Sequence, residues 1–559
     1  MGFTFSAKAL LELGKELISS DEVAIYELIK NSVDAQRNLA RDDIRITIKF
    51  QIMLKRSVYL KALSDLDSGV DSKVIIKNLA IGFEDTITED KRSEILMELT
   101  EFDHNPEKMR IALMRIYQEL NFISVSDAGH GMSLSELSSI FLRIGTNSRR
   151  KYNEQGEQFL GDKGVGRLSA MRLGEYLRVE STQKGESAWN ILDIDWSLFS
   201  MADSVDASSI NIVPRLGNNK KDSGFQGTLV TISNLNAEWD SDVVNSLVSG
   251  DIARMIDPFN PGLAKRTIKI IFNDKEILVP SIPQQLLQGA HATCTIDFGF
   301  EDQKAVLKGE INYALRQRQR GYRQEESEIL SITQEVIKRR GKKGVAANKE
   351  LSLSPESLRE LGPFTAQIYW YNRRVLAEIT DLTTKPSHSK EQVRQWAGGP
   401  MLYRYGFRIL PYGSSGNDWL ELDKNAFGQG GFKLNRQQVI GKVSITSPHQ
   451  KLSEQTNREG LIKSNASEVL RRILMWVIHV EFRNLIKEAD EEELLRRRFA
   501  DQNSDRINIS RENVIHTLKE IQSASSDSDL VLVKKLEIQV DQLSSEAAKV
   551  LQRLQEVEK

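Results

Sequence analysis

The stretch YELIKNSVDA, residues 26–35, constrains this chain more than any other segment. Ile25, Leu28, Ile29 and Val33 recur at helical spacing and supply an apolar side. Glu27, Asn31 and Asp34 fall at i, i+4 and i+7, so two carboxylates and a carboxamide share one stripe of the same helix. That stripe is either a solvated face or a set of groups aimed at one ligand. The rest of the chain has to decide between them.

SSDE, residues 19–22, is an N-cap cluster ahead of this helix, and an earlier helix starts at residue 7. DIRITIKF, 43–50, alternates as a strand. Residues 51–118 are charged and helical in pattern, with a break at FDHNPE. NFISVSDAGHGM then reads as a strand running into a glycine turn. Residues 133–170 are helix and loop; EYLRVEST, WNILDIDW and GTLVTISNL are antiparallel strands; residues 203–223 are a loop or linker. A second α/β region begins near residue 260, with strands in RTIKIIFND and AQIYWYNRRVL. The C-terminal region is helical, and Leu536, Val540, Leu543, Val550, Leu551 and Leu554 suggest a short coiled coil.

Two glycine stretches carry candidate chemistry. In SDAGHGMS, 126–133, Asp127 ends an apolar strand and can accept from an exocyclic amine, while Gly129 and Gly131 allow a tight turn and close approach of a flat ligand. A plain loop is the alternative reading. In GDKGVGRLSA, 161–170, glycines precede a helical run, which presents backbone N–H groups and a positive dipole end to phosphate. Ser169 stands where a dinucleotide fingerprint has its third glycine, and no clear strand precedes it, so this is not a Rossmann turn. No phosphate-loop motif of the G-x-x-x-x-G-K type occurs.

Other chemistries have little support. The histidines lack metal-like spacing, Cys294 is the one cysteine, and no nucleophile triad is recognisable. A lone cysteine fits a reducing compartment, so a cytoplasmic protein is expected. A net charge of −2 gives no global attraction to nucleic acid. No apolar run approaches the roughly 20 residues of a membrane span, and neither a secretory leader nor a lipid anchor is expected.

Taken in order, ExxxNxxDA at Glu27, DxGxGM at Asp127, IGTNSRRK from Ile144 and GxxGVG at Gly161 resemble the GHKL ATPase superfamily. That superfamily includes gyrase B, the ninety-kilodalton heat-shock chaperone, MutL and the histidine kinases. The resemblance covers residues 7–235. YRYGFRILPYGSSGNDWLELD, 403–423, and QTNREGLIKSN, 455–465, are similar to the transducer domain of the bacterial chaperone-like branch. The resemblance implies an α+β chain. Residues 1–255 would form the two-layer α/β sandwich of the Bergerat ATP-binding fold, with a helical insertion at 51–118 and an ATP lid at 133–166. A transducer-like α/β domain would span 256–480, and C-terminal helices or a coiled coil 481–559.

It also implies roles for individual residues. Glu27 would be the general base that deprotonates the attacking water. Asn31 would hold Mg²⁺ through its amide oxygen. Asp34 would stand near the nucleotide. Asp127 would accept from the adenine amine, assisted by Thr228 through water, and Gly129, Gly131 and Met132 would leave room for the base. Thr146 and Asn147 would contact the nucleotide, a helix cap being the alternative for Asn147 and Ser148. Gly161, Gly164, Val165 and Gly166 would close over the phosphates; Lys163 reads equally well as a phosphate contact or a solvated lysine. Arg458 would bring positive charge to the γ-phosphate, the alternative being a surface salt bridge with Glu459.

The function implied is a Mg²⁺-dependent ATPase that works as a dimeric clamp or switch, with a homodimer held by the C-terminal helices. An autokinase would need a phosphoacceptor histidine on a helix ahead of the ATP domain, and only six residues precede the first expected helix. No gyrase-type cleavage region is recognisable. The competing reading is a nucleotide-gated interaction protein with slow turnover in a DNA-associated or genome-defence role. It is motivated by the basic runs LRQRQRGYR, from Leu315, and VIKRRGKK, 336–343, which otherwise read as solvated helix. The 51–118 insertion is either a structural flap or a partner surface.

Overall fold

Ser6 and Ser20 start the first two helices. Ser6 accepts from Ala9 N at the head of α1, Ala7–Leu17, and Ser20 from Val23 N at the head of α2, Asp21–Ala35. Asp21 and Glu22 occupy the first turn of α2, where carboxylates complement the helix dipole. At the other end, Gln36 donates to the Ser32 and Arg45 carbonyls and accepts from Arg45 N, tying the helix to the segment that follows. This computed structural model describes residues 6–39, 43–141, 159–160, 169–200, 206, 209–260, 267–340, 353–372, 386–428, 434–445, 451–455, 459–524 and 527–556.

The chain divides into two compact units, Met1–Glu310 with Gly321–Trp476, and Ile311–Arg320 with Val477–Lys559. The first contains an eight-stranded sheet built from β1 (Ile46–Ile52), β2 (Asn121–Asp127), β3 (Gly174–Thr182), β4 (Ala188–Asp195), β5 (Arg215–Asn219), β6 (Gly227–Leu235), β7 (Ile268–Phe272) and β8 (Lys275–Ile277). Their order is β5-β4-β3-β6-β2-β1-β7-β8. All neighbours are antiparallel except β1 and β7. β5 corrects the expectation of a loop or linker over 203–223. Its residues, RLGNN, are exposed at the sheet edge and lack the apolar alternation that marks a strand.

Ile25 and Ile29 of α2 and Ile48, Ile123, Leu177 and Ile232 of the sheet are buried in one apolar core. This is the two-layer sandwich of an α+β domain. The same core continues into Met401, Tyr403 and Ile440 of a second, seven-stranded sheet, and into Tyr371 just past one of its strands. That sheet contains β9 (Ala292–Glu301), β10 (Lys304–Tyr313), β11 (Arg318–Glu325), β12 (Phe364–Trp370), β13 (Gly399–Arg404), β14 (Phe407–Ile409) and β15 (Val439–Ile445), in the order β11-β10-β9-β12-β15-β13-β14.

Between β1 and β2 the insertion forms four helices, α3 (Arg56–Asp67), α4 (Ser72–Ile81), α5 (Glu89–Thr100) and α6 (Pro106–Leu120). The expected break at FDHNPE is the junction ahead of α6, where Asn105 caps and Pro106 fills the first helical position. The four helices have their own core, including Leu66, Leu79, Leu99 and Leu113, with Tyr59 and Tyr117 stacked 3.8 Å apart.

LRQRQRGYR is a hairpin segment leading into β11, not a solvated helix. Three of its four arginines face acidic residues of the long helix Arg483–Ala524 in the second unit, and the fourth, Arg323, pairs with Glu301 at 2.8 Å. Arg316 lies 3.4 Å from Asp490, Arg318 2.5 Å from Glu492 and Arg320 2.5 Å from Glu488. The arginines of the basic run are therefore charge-neutralised by carboxylates of this chain. Where a coiled coil was expected, the helix Asp527–Glu556 packs back on Arg483–Ala524 as an intrachain antiparallel hairpin, with Arg511 2.7 Å from Asp541. Among the described residues, no helix is long and apolar enough to cross a membrane.

Candidate functional site

Asp127 ends β2 opposite Ile46 of β1 and Thr228 of β6. The strand must stop here because the chain turns sharply beneath the end of α2, where His130 N donates to the Ala35 carbonyl at 3.1 Å. A Cβ on Gly129 would lie 2.7 Å from the Ala35 carbonyl oxygen. Gly131 has φ +68, and a Cβ there would lie 1.9 Å from the Thr182 carbonyl oxygen. Both glycines are thus demanded by the tight turn and its close backbone approach, one of the two reasons the motif suggested.

A cavity of 160 Å³ opens beside this turn. Val125, Leu177 and Val230 of β2, β3 and β6 line it from the sheet, and Leu28 and Ala170 from helices. Met132 and Phe141 complete an apolar surround. The polar groups are few: Asn31, Ser32, Asp127, His130, Glu136 and Thr228. An apolar slot with a few placed polar groups is what a flat heteroaromatic ring requires.

The Asp127 carboxylate is held ready to accept. Its Oδ1 takes the Gly129 N–H at 2.9 Å, and the Ser32 hydroxyl and Thr228 N–H also reach it. Burial nevertheless dominates and pushes its pKa up to about 6, against the pull of those donors and of His130. Thr228 Oγ1 lies 2.8 Å from Ser181 Oγ, which also accepts from Met132 N at 2.8 Å. His130 Nδ1 donates to the Gly131 carbonyl at 2.6 Å, and Gln183 donates to Glu136 at 2.8 Å.

The α2 stripe facing the cavity is Leu28, Asn31, Ser32 and Ala35, at i, i+3, i+4 and i+7. It shares only Asn31 with the stripe expected from sequence. Glu27 is buried one turn before Asn31 without lining this cavity. Asp34 is buried too, and its Oδ1 accepts from Leu160 N at 2.8 Å, at the edge of the glycine-rich segment. Gly131, Met132 and Thr228 line the cavity; Gly129 supports the turn from outside it. Thr146, Asn147, Gly161, Lys163, Gly164, Val165, Gly166 and Arg458 lie outside the described residues. Sequence reasoning missed Ser32, Ser181 and Glu136. Ser32 had a signal, since it sits four residues after Leu28 on the helix side nearest β2.

Residues 102–221 match the family model described as "Histidine kinase-, DNA gyrase B-, and HSP90-like ATPase". The chain carries a GHKL-type ATPase domain. No curated protein matches the chain significantly. The GHKL match covers about a fifth of the chain, beginning just ahead of α6 and ending after β5. It includes Asp127 and the glycine-rich segment, while α2 and Thr228 lie outside it. GHKL domains bind and hydrolyse ATP, and Mg²⁺ typically accompanies the nucleotide. Among the described residues, no cluster of His, Cys, Asp or Glu could hold a metal on its own.

Proposed function

We propose that the chain hydrolyses ATP at the cavity beside Asp127 and uses the cycle to open and close a dimeric clamp. The observation that carries the reading is the Asp127 carboxylate, fixed by Gly129 N–H at the edge of an apolar slot that also receives the Asn31 amide. The adenine amine would donate to Asp127 while Val125, Leu177 and Val230 cover the ring. Asn31 offers a hard oxygen suited to Mg²⁺, which neutralises phosphate charge when bound. Glu27, one helical turn earlier, would take the proton from the attacking water. Arg458, by the family resemblance, would add positive charge at the γ-phosphate.

Support for a dimer comes from the C-terminal hairpin. Val533, Leu536, Val540, Leu543, Ala547 and Val550 follow an alternating three-and-four spacing. Val533 is buried, but Leu536, Leu543 and Val550 are 48%, 66% and 56% exposed. An open heptad row of this kind fits a second copy of the same hairpin. The DNA-associated reading loses the arginines of its first basic run to carboxylates of this chain, and its second, VIKRRGKK, lies partly outside the described residues. Sedimentation with and without a non-hydrolysable ATP analogue tests the clamp. A stable dimer that compacts with the analogue is expected; a monomer in both conditions, or a dimer indifferent to nucleotide, overturns it.

A further inference from the structure

Helix α2 has a second polar side, turned away from the candidate nucleotide cavity. Lys30 is 2% exposed, and its Nζ lies 3.4 Å from Glu454 Oε2. Arg404 stands 3.8 Å from the other oxygen of Glu454, and Lys30 Nζ lies 5.2 Å from the centre of the Tyr26 ring. Tyr26, one turn before Lys30, donates its hydroxyl to the Arg408 carbonyl. Two neighbouring side chains of α2 therefore hold the region of the second sheet directly.

A buried ion pair adds little net stability, because desolvating two charges offsets their attraction; apolar residues of similar volume would pack as well. The pair has to be understood by what it connects. Glu454 lies in one arm of a short hairpin. Gln455 N donates to the Gly460 carbonyl and Ile462 N to the Ser453 carbonyl, both at 2.7 Å, and Glu454 bridges to Leu461. The other arm is braced by the Tyr412 hydroxyl, which accepts from Leu461 N at 2.9 Å.

We propose that Lys30 is a positioning residue for ATP hydrolysis. Through Glu454 it fixes the helix that bears Glu27 and Asn31 to the paired segments 453–455 and 460–462. The helix that carries the water-activating carboxylate is then set by this contact, and a small misplacement of Glu27 lowers the rate steeply. The inference rests on the ATPase reading above.

The test uses the full chain with Lys30→Met, Glu454→Gln, the double variant and Lys30→Arg. ATP turnover and affinity for a fluorescent ADP are measured separately. Either single neutral variant should lower kcat about tenfold or more while nucleotide affinity stays within about threefold. The double variant should be no slower than the worse single, and Lys30→Arg should recover most of the rate. Wild-type kcat in Lys30→Met overturns the proposal. So does loss of nucleotide affinity in parallel with rate, because that is a packing defect. Wild-type protein that binds nucleotide without turning it over overturns the ATPase reading, and this inference with it.

Discussion

Asp127 is the group through which pH should reach the candidate site, and the size of the effect follows from its surroundings. Burial raises its pKa from 3.8 to about 6, despite donors from Gly129, Ser32 and Thr228. A shift of about two units corresponds to about 3 kcal/mol between the two protonation states. The folded pKa lies above the unfolded one, so the stabilising contribution is complete below pH 3.8 and is lost as pH rises through about 6. At pH 7.5 the ionised Asp127 therefore strains the ligand-free fold, and Asp127→Asn should stabilise it by up to about 3 kcal/mol. A ligand amine that donates to the carboxylate has the opposite preference. At pH 5 only about one molecule in ten carries the ionised form, so affinity should fall about tenfold from its value at pH 7.5. Calorimetric titration with adenosine, which has no phosphate to titrate, measures this directly. Asp127→Asn should bind weakly at both pH values and show a raised denaturation midpoint. Equal adenosine affinity at pH 5 and 7.5 in the wild type would refute the reasoning, as would an unchanged slope in the variant.

Three further outcomes are expected. Gly131→Ala combines a φ of +68 with a Cβ 1.9 Å from the Thr182 carbonyl oxygen, so it should destabilise by about 1–3 kcal/mol and abolish adenosine binding; chemical denaturation and calorimetry read both. Tyr26→Phe leaves the buried Arg408 carbonyl without this hydroxyl donor and should lower unfolding free energy by about 1–3 kcal/mol in urea titration. Replacing Arg316, Arg318 and Arg320 together with alanine should shift stability by only about 1–2 kcal/mol, because each pair is partly exposed, and the shift should shrink in high salt.

The architecture was legible where local chemistry and tertiary demand agree. Ser20, the apolar positions of α2 and the alternation in β1, β2, β3 and β6 point to the same elements the fold uses. Asp127 stands where its sequence context put it, at the end of a strand. The tight turn at Gly129 and Gly131 was legible, but their packing against Ala35 and Thr182 is invisible in one dimension. Of the expected α2 stripe only Asn31 lines the cavity, because helical spacing gives a face but not which neighbour covers it. Ser32 turns toward β2 with Leu28, whereas Asp34 turns to the Leu160 backbone. LRQRQRGYR was misread because three of its four charges are satisfied by Glu488, Asp490 and Glu492, more than 160 residues away in sequence. Long-range pairing of that kind leaves no local period. β5 escaped for a related reason: an edge strand with one partner needs no apolar face.

The central claim, that α2 and Asp127 form an ATP-hydrolysing site, is tested most directly by ATP turnover and nucleotide binding in wild type and Glu27→Ala. The account predicts measurable wild-type turnover, a loss of about 10²–10⁴-fold in the variant, and unchanged affinity for a non-hydrolysable ATP analogue. Wild-type turnover in Glu27→Ala would contradict it.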